Sequence, residues 1–70
     1  MHGMTLSDLQ YLVVVAEERS FRRAAERCHI TQPTLSGQVK KIEGMLRVSL
    51  FERGTKGFAI TDIGHKIIDE

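Results

Sequence analysis

Residues 31–41 read TQPTLSGQVKK, short hydroxyls and amides followed by two lysines. Glutamine can pair bidentately with N6 and N7 of adenine, and the carbons of proline and threonine pack against a thymine methyl. Gln32, Pro33 and Thr34 therefore suit A·T base pairs. Ser36 and the free N–H groups at a helix start can hold a phosphate, and Lys40 can neutralise one. Gly37 costs a helix interior about 1 kcal/mol relative to alanine. On an outward face it lets another backbone come close. Each of these residues is also ordinary at the start of a helix; it is their order, after a helix carrying Ala24-Ala25, that points to a duplex.

A second cationic feature lies downstream. Arg53 stands just before Gly54-Thr55-Lys56-Gly57, a turn between two short apolar stretches. An arginine at a hairpin tip can enter a narrow minor groove, where A·T-rich DNA concentrates negative potential, and Lys56 can add a phosphate contact. The plainer reading is that both are solubilising charges on an edge strand. The charge distribution favours the first. Residues 31–57 carry five basic and two acidic side chains, a net +3, whereas residues 1–30 balance and residues 58–70 sum to −2. The whole chain of 70 residues is only +1. Positive charge thus gathers where a phosphate-facing surface requires it.

These residues need a scaffold, and hydrophobic spacing supplies one. A first helix is expected over residues 6–18, with Thr5 as N-cap and Asp8 as its capping-box partner. Its apolar stripe is Leu9, Leu12, Val13 and Ala16, extended by Leu6. A second helix follows its cap Ser20, with Phe21, Ala24, Ala25 and Cys28 on the inner face. Cys28-His29-Ile30 makes a turn. Thr31 caps the third helix, and Ile30 and Leu35 flank that cap as a hydrophobic staple. Pro33 falls in the first turn, where its missing N–H costs nothing. Leu35, Val39, Ile42 and Leu46 point inward. Residues 48–53 and 58–61 read as two short strands of a hairpin. Such a ribbon is unstable alone, so Leu50 or Phe51, with Phe58 and Ile60, must rest on the helices. Thr61 caps a last helix carrying Ile63, Ile67 and Ile68. Two short helices joined by a tight turn, residues 21–40, form a helix-turn-helix, and the hairpin of residues 48–61 is its wing.

Other chemistries find no support in the residues. Cys28, the one cysteine, sits on an apolar stripe and is expected to be a small core residue, with no disulfide to form. Cys28-His29 is not a metal-ligand spacing, and His2 and His65 are remote from it. No glycine-rich phosphate loop, activated nucleophile or carboxylate pair suggests catalysis, and no cofactor is expected. No apolar run approaches the ~18 residues of a membrane span, and no signal peptide is visible. A cytoplasmic protein is expected. Residues 1–3, ahead of Met4, read as an alternative start or an expression scar and are set aside from the fold.

The stretches LSDLQYLVVVAEERSFRRAAERCHITQPTLSGQVKKIE and LFERGTKGFAITDIGHKII resemble the N-terminal DNA-binding domain of LysR-type bacterial transcriptional regulators. The combination of SFRRAA, TQPTLSGQ and LFER in this order is specific to that family, and FRRAAERCHITQPTLSGQ is most similar to its peroxide-responsive, OxyR-like branch. The resemblance implies a longer protein that dimerises through a linker helix, often assembles as a tetramer, and senses a small molecule or oxidant through a C-terminal domain. Residues 62–70 match the start of that linker helix, and the effector domain is absent from the chain. It also implies that Thr31, Gln32, Pro33, Thr34, Ser36 and Gln38 fall on recognition-helix contacts and Arg53 on the wing arginine. Two positions depart from the family pattern. Gly37 stands where many members carry arginine. Arg47 stands where many carry the glycine that ends helix three, so that exit is expected to be strained or reshaped.

The expected fold is mostly α with a small β-hairpin, a winged helix-turn-helix over residues 4–61. The expected DNA-facing set is Ser20, Arg22, Thr31, Gln32, Pro33, Thr34, Ser36, Gln38, Lys40, Arg53 and Lys56. The expected partner is an A·T-rich, pseudo-palindromic double-stranded operator read by a homodimer or tetramer. The alternative is a winged helix used for protein interaction or dimerisation without specific DNA binding.

Overall fold

The computed structural model describes residues 4–54 and 57–69. The elements are helices α1 (Leu6–Glu18), α2 (Phe21–Cys28) and α3 (Gln32–Leu46), strands β1 (Phe51–Gly54) and β2 (Gly57–Ile60), and helix α4 (Asp62–Asp69). Caps set the helix starts. Thr5 Oγ1 accepts the N–H of Asp8 at 3.1 Å while the Asp8 carboxylate accepts the N–H of Thr5 at 3.2 Å, a complete capping box. Ser20 accepts the N–H of Arg23, and Thr31 that of Thr34, both at 3.2 Å.

The helix ends are less ordinary. Arg19, His29 and Arg47 occupy the left-handed region at φ 53°, 61° and 58°, each as the C-cap of the preceding helix. Glycine is the usual occupant of such a cap, because other residues meet steric cost there. Arg47 therefore keeps the expected geometry of the helix-three exit and bears the strain, rather than reshaping the exit. Its N–H bonds to the carbonyl of Glu43, and Val48 N–H reaches the same carbonyl at 3.2 Å.

The core joins Leu12 and Val15 of α1, Phe21, Ala24 and Ala25 of α2, Leu35, Val39 and Ile42 of α3, and Leu50 and Phe51 at the entry to the wing. Three expectations are corrected here. The buried line of α1 is Leu12 and Val15; Leu9, Val13 and Ala16 are half-buried, and Leu6 is 72% exposed. Apolar residues surround most of this helix, so spacing alone does not choose its inner face. Cys28 is half-buried rather than core, and lines an open groove of about 530 Å³ with Leu9, Tyr11 and Val14. Leu46, expected to point inward, is 37% exposed at the last residue of α3, whereas Leu35, Val39 and Ile42 are buried.

The wing is also shorter than expected at its start. Residues 48–50 are not strand; β1 begins at Phe51 and pairs antiparallel with β2 in the register Phe51↔Ile60, Glu52↔Ala59, Arg53↔Phe58 and Gly54↔Gly57. Thr55 and Lys56, expected in the turn, lie outside the described residues. The ribbon is anchored by three rings. Phe21 meets Phe51 edge-on at 6.0 Å and Phe58 at 6.2 Å, and Phe51 and Phe58 lie 5.5 Å apart. Thr61 then fastens α4. Its hydroxyl donates to the carbonyl of Ser49 at 2.6 Å and accepts the N–H of Gly64 at 3.0 Å, while its own N–H reaches the carbonyl of Leu50 at 3.0 Å.

Arg27 ties α2 to the end of α1 through Glu17 at 2.7 Å and Glu18 at 3.2 Å. These hydrogen bonds, Glu17 first, raise its guanidinium further above an already high value.

Candidate nucleic-acid interface

The outer side of α3 is a ridge of Pro33, Gly37, Lys40, Lys41 and Gly44, all exposed. A Cβ built on Gly37 or Gly44 meets nothing within 4 Å. The fold itself therefore does not require either glycine. Gln32 and Ser36, one turn apart, sit on the flank of this ridge that faces the wing, and both are half-buried. Thr34 and Gln38 occupy the other flank.

Two shallow grooves run along the wing side. One, of about 310 Å³, is lined by Arg19, Ser20, Phe21, Arg22 and Gln32 and, from the wing, Gly57 and Phe58. The other, of about 230 Å³, is lined by Ser36, Lys40 and Glu43 of α3 with Phe21, Val39 and Phe51. The fold thus brings Ser20, Arg22, Gln32, Ser36 and Lys40 to one side of the molecule, between helix start and hairpin.

The remaining expected residues divide. Thr31 is exposed, but its hydroxyl is committed to the helix: it accepts the Thr34 N–H and donates to Thr34 Oγ1 at 2.8 Å. That leaves the Thr34 proton free to donate outward. Pro33 is the second residue of α3 and is exposed. Gln38 is half-buried. The backbone of Arg53 lies in β1 opposite Phe58; its side chain, and the whole of Lys56, lie outside the described residues. Among the described residues no group of His, Cys, Asp or Glu is placed to hold a metal ion.

Sequence reasoning missed two side chains that shape this surface. Glu43 Oε2 accepts the N–H of Leu50 at 2.7 Å and of Phe51 at 3.3 Å, so a carboxylate in the last turn of α3 holds the entry to the wing. A signal existed: an acid near a helix C-terminus opposes the helix dipole and calls for a partner of its own. Arg19 is the other. Its Nη2 donates to the Phe58 carbonyl at 3.4 Å and its Cζ lies 5.6 Å from the centre of the Phe58 ring. Those residues are 39 apart in sequence, and no local pattern links them.

Three helices with a capped, outward-facing third helix, flanked by a two-stranded ribbon, define a winged helix-turn-helix. Residues 6–65 match the bacterial regulatory helix-turn-helix proteins of the lysR family. The chain belongs to that family. It is 49% identical over 67 residues to the DNA-binding transcriptional dual regulator OxyR of Escherichia coli K12, covering 96% of this chain and 22% of that protein. Full-length OxyR of Pseudomonas aeruginosa, a cysteine-to-aspartate variant, superposes with a TM-score of 0.87 at 50% identity, over 94% of this chain and 22% of that one. The DNA-binding domain of BenM, solved in complex with catB site 1 DNA, superposes with a TM-score of 0.88 at 41% identity, over 94% of this chain and 71% of that one. The chain spans about a fifth of the length of the curated relatives it matches. Those relatives are transcriptional regulators. Among the described residues no helix is long and apolar enough to cross a membrane.

Proposed function

We propose that this chain is the sequence-specific DNA-reading head of a LysR-type transcription regulator, acting in the bacterial cytoplasm by binding and not by catalysis. The observation that carries this reading is the outer ridge of α3, which holds two internal glycines the fold does not need and is bordered by grooves leading to the wing. Residues 4–61 form the head, and residues 62–70 begin the linker helix. In this reading α3 enters the major groove, with Gln32, Pro33 and Thr34 against base edges. Ser20, Arg22, Thr31, Ser36, Gln38 and Lys40 face the same duplex and fix its register, largely through the backbone. Arg53 and Lys56 serve the adjacent minor groove. Two heads on a dimer read half-sites about one helical turn, ~34–36 Å, or a multiple of it apart. That the similar BenM domain was solved in complex with DNA supports duplex binding. The close likeness to OxyR proteins supports placing the parent protein in the peroxide-responsive branch.

Selection from a randomised duplex pool tests the reading. We expect enrichment of an A·T-rich inverted repeat, and binding to it that falls steeply with salt because several phosphates are neutralised. A pool that stays random, together with salt-insensitive binding, would instead mark a protein-interaction module.

A further inference from the structure

We infer that Arg19 is a positioning residue that sets the wing against the recognition helix, and so governs how strongly the flanks of a site are read. The inference rests on the proposal that Arg53 enters a minor groove. Arg19 occupies the left-handed region at φ 53°, a conformation an arginine holds at a cost. Its guanidinium is committed to β2. It caps the Phe58 carbonyl at 3.4 Å from outside the ribbon and lies over the Phe58 ring at 5.6 Å. Phe58 is the register partner of Arg53, so the clamp acts on the strand position opposite the wing arginine. Phe21 and Phe51 hold the same ring by edge-on and tilted contacts. Arg19 also lines the groove that separates Gln32 on α3 from Gly57 on the wing. One side chain at the α1–α2 corner thus fixes the spacing between the two parts of the surface proposed to touch adjacent grooves of one duplex.

The test is a double-mutant cycle. A duplex that the parent chain selects from a random pool is prepared with A·T-tract flanks and with G·C flanks, and affinities are measured by fluorescence anisotropy for the parent, Arg19→Gly, Arg53→Ala and the double variant. Glycine suits the left-handed backbone, so Arg19→Gly removes the clamp without straining the corner, and thermal unfolding reports whether the fold is kept. Arg53→Ala is expected to abolish the preference for A·T flanks. Arg19→Gly is expected to lower it by roughly two- to five-fold, the worth of an exposed cation–π contact. The double variant is expected to be no worse than Arg53→Ala alone. A preference unchanged by Arg19→Gly, or losses that add in the double variant, overturns the inference while leaving the wing reading intact. Additive loss with a lower salt slope would make Arg19 a direct phosphate contact instead. An Arg53→Ala variant that keeps the full preference overturns the wing reading itself, and this inference with it.

Discussion

Adding one methyl group at two helical glycines should move stability in opposite directions. In Gly64→Ala the new Cβ would lie 2.5 Å from the carbonyl oxygen of Leu50, 3.0 Å from Ile60 Cγ2 and 3.1 Å from Thr61 Oγ1. The obstruction is backbone and cannot rotate aside. Leu50 is fully buried, and its carbonyl accepts the Thr61 N–H at 3.0 Å, so shifting it weakens that bond. Overpacking of this kind costs ~1–3 kcal/mol. The gain in helix propensity offsets at most ~1 kcal/mol of that. A mid-range cost of ~2 kcal/mol less ~1 kcal/mol of propensity leaves a net loss of about 1 kcal/mol, which lowers the unfolding midpoint by ~4–8 °C in a domain of this size. Gly37→Ala meets open space and keeps only the propensity gain, ~0.5–1 kcal/mol, or a rise of ~2–8 °C. Circular dichroism at 222 nm through a thermal ramp reads both. A Gly64→Ala midpoint at or above that of the parent would refute the claim that α4 abuts the Leu50 carbonyl.

The other expected outcomes concern single side chains. Arg47→Gly should stabilise by about 0.5–1 kcal/mol by relieving the left-handed cap at φ 58°; chemical denaturation showing a loss would mean that the arginine contributes more through its side chain than its backbone costs. Glu43→Ala should cost about 2–4 kcal/mol, because it strands the N–H groups of Leu50 and Phe51, whereas Glu43→Gln keeps an acceptor and should cost less than about 1.5 kcal/mol; equal losses would contradict the clasp. Lys40→Ala should weaken binding on all duplexes and reduce the log–log salt slope by about 0.9; an unchanged slope would remove it from the phosphate contacts. Gln32→Ala should cost ~1–3 kcal/mol in affinity and relax preference at one half-site position, so an unaltered selection profile from a randomised pool would refute its role.

The helices were legible because their starts are written in local chemistry. Thr5, Ser20 and Thr31 each cap as read, and the inner face of α2 follows from Phe21, Ala24 and Ala25. Features set by tertiary packing were not. Leu9, Val13 and Val15 are equally apolar, so only the position of α2 and α3 against α1 selects Val15 for the core. Residues 48–50 alternate like a strand, yet their backbone is claimed by Glu43 and Thr61, which delays pairing until Phe51. Of the candidate surface, the spacing of Gln32, Ser36 and Lys40 along one helix side was readable. The meeting of Gln32 with Ser20 and Arg22 across a groove depends on the angle between α2 and α3, which no single segment encodes.

The attachment of α4 has a mechanical consequence. Thr61 is mortised into the stretch between α3 and β1, and Gly64 leaves no clearance beside Leu50. Twisting α4 about its own axis must therefore drag Ser49 and Leu50, and through the Glu43 carboxylate the end of α3, with it. A torque delivered along that helix is thus passed first to the stretch before β1 and to the last turn of α3.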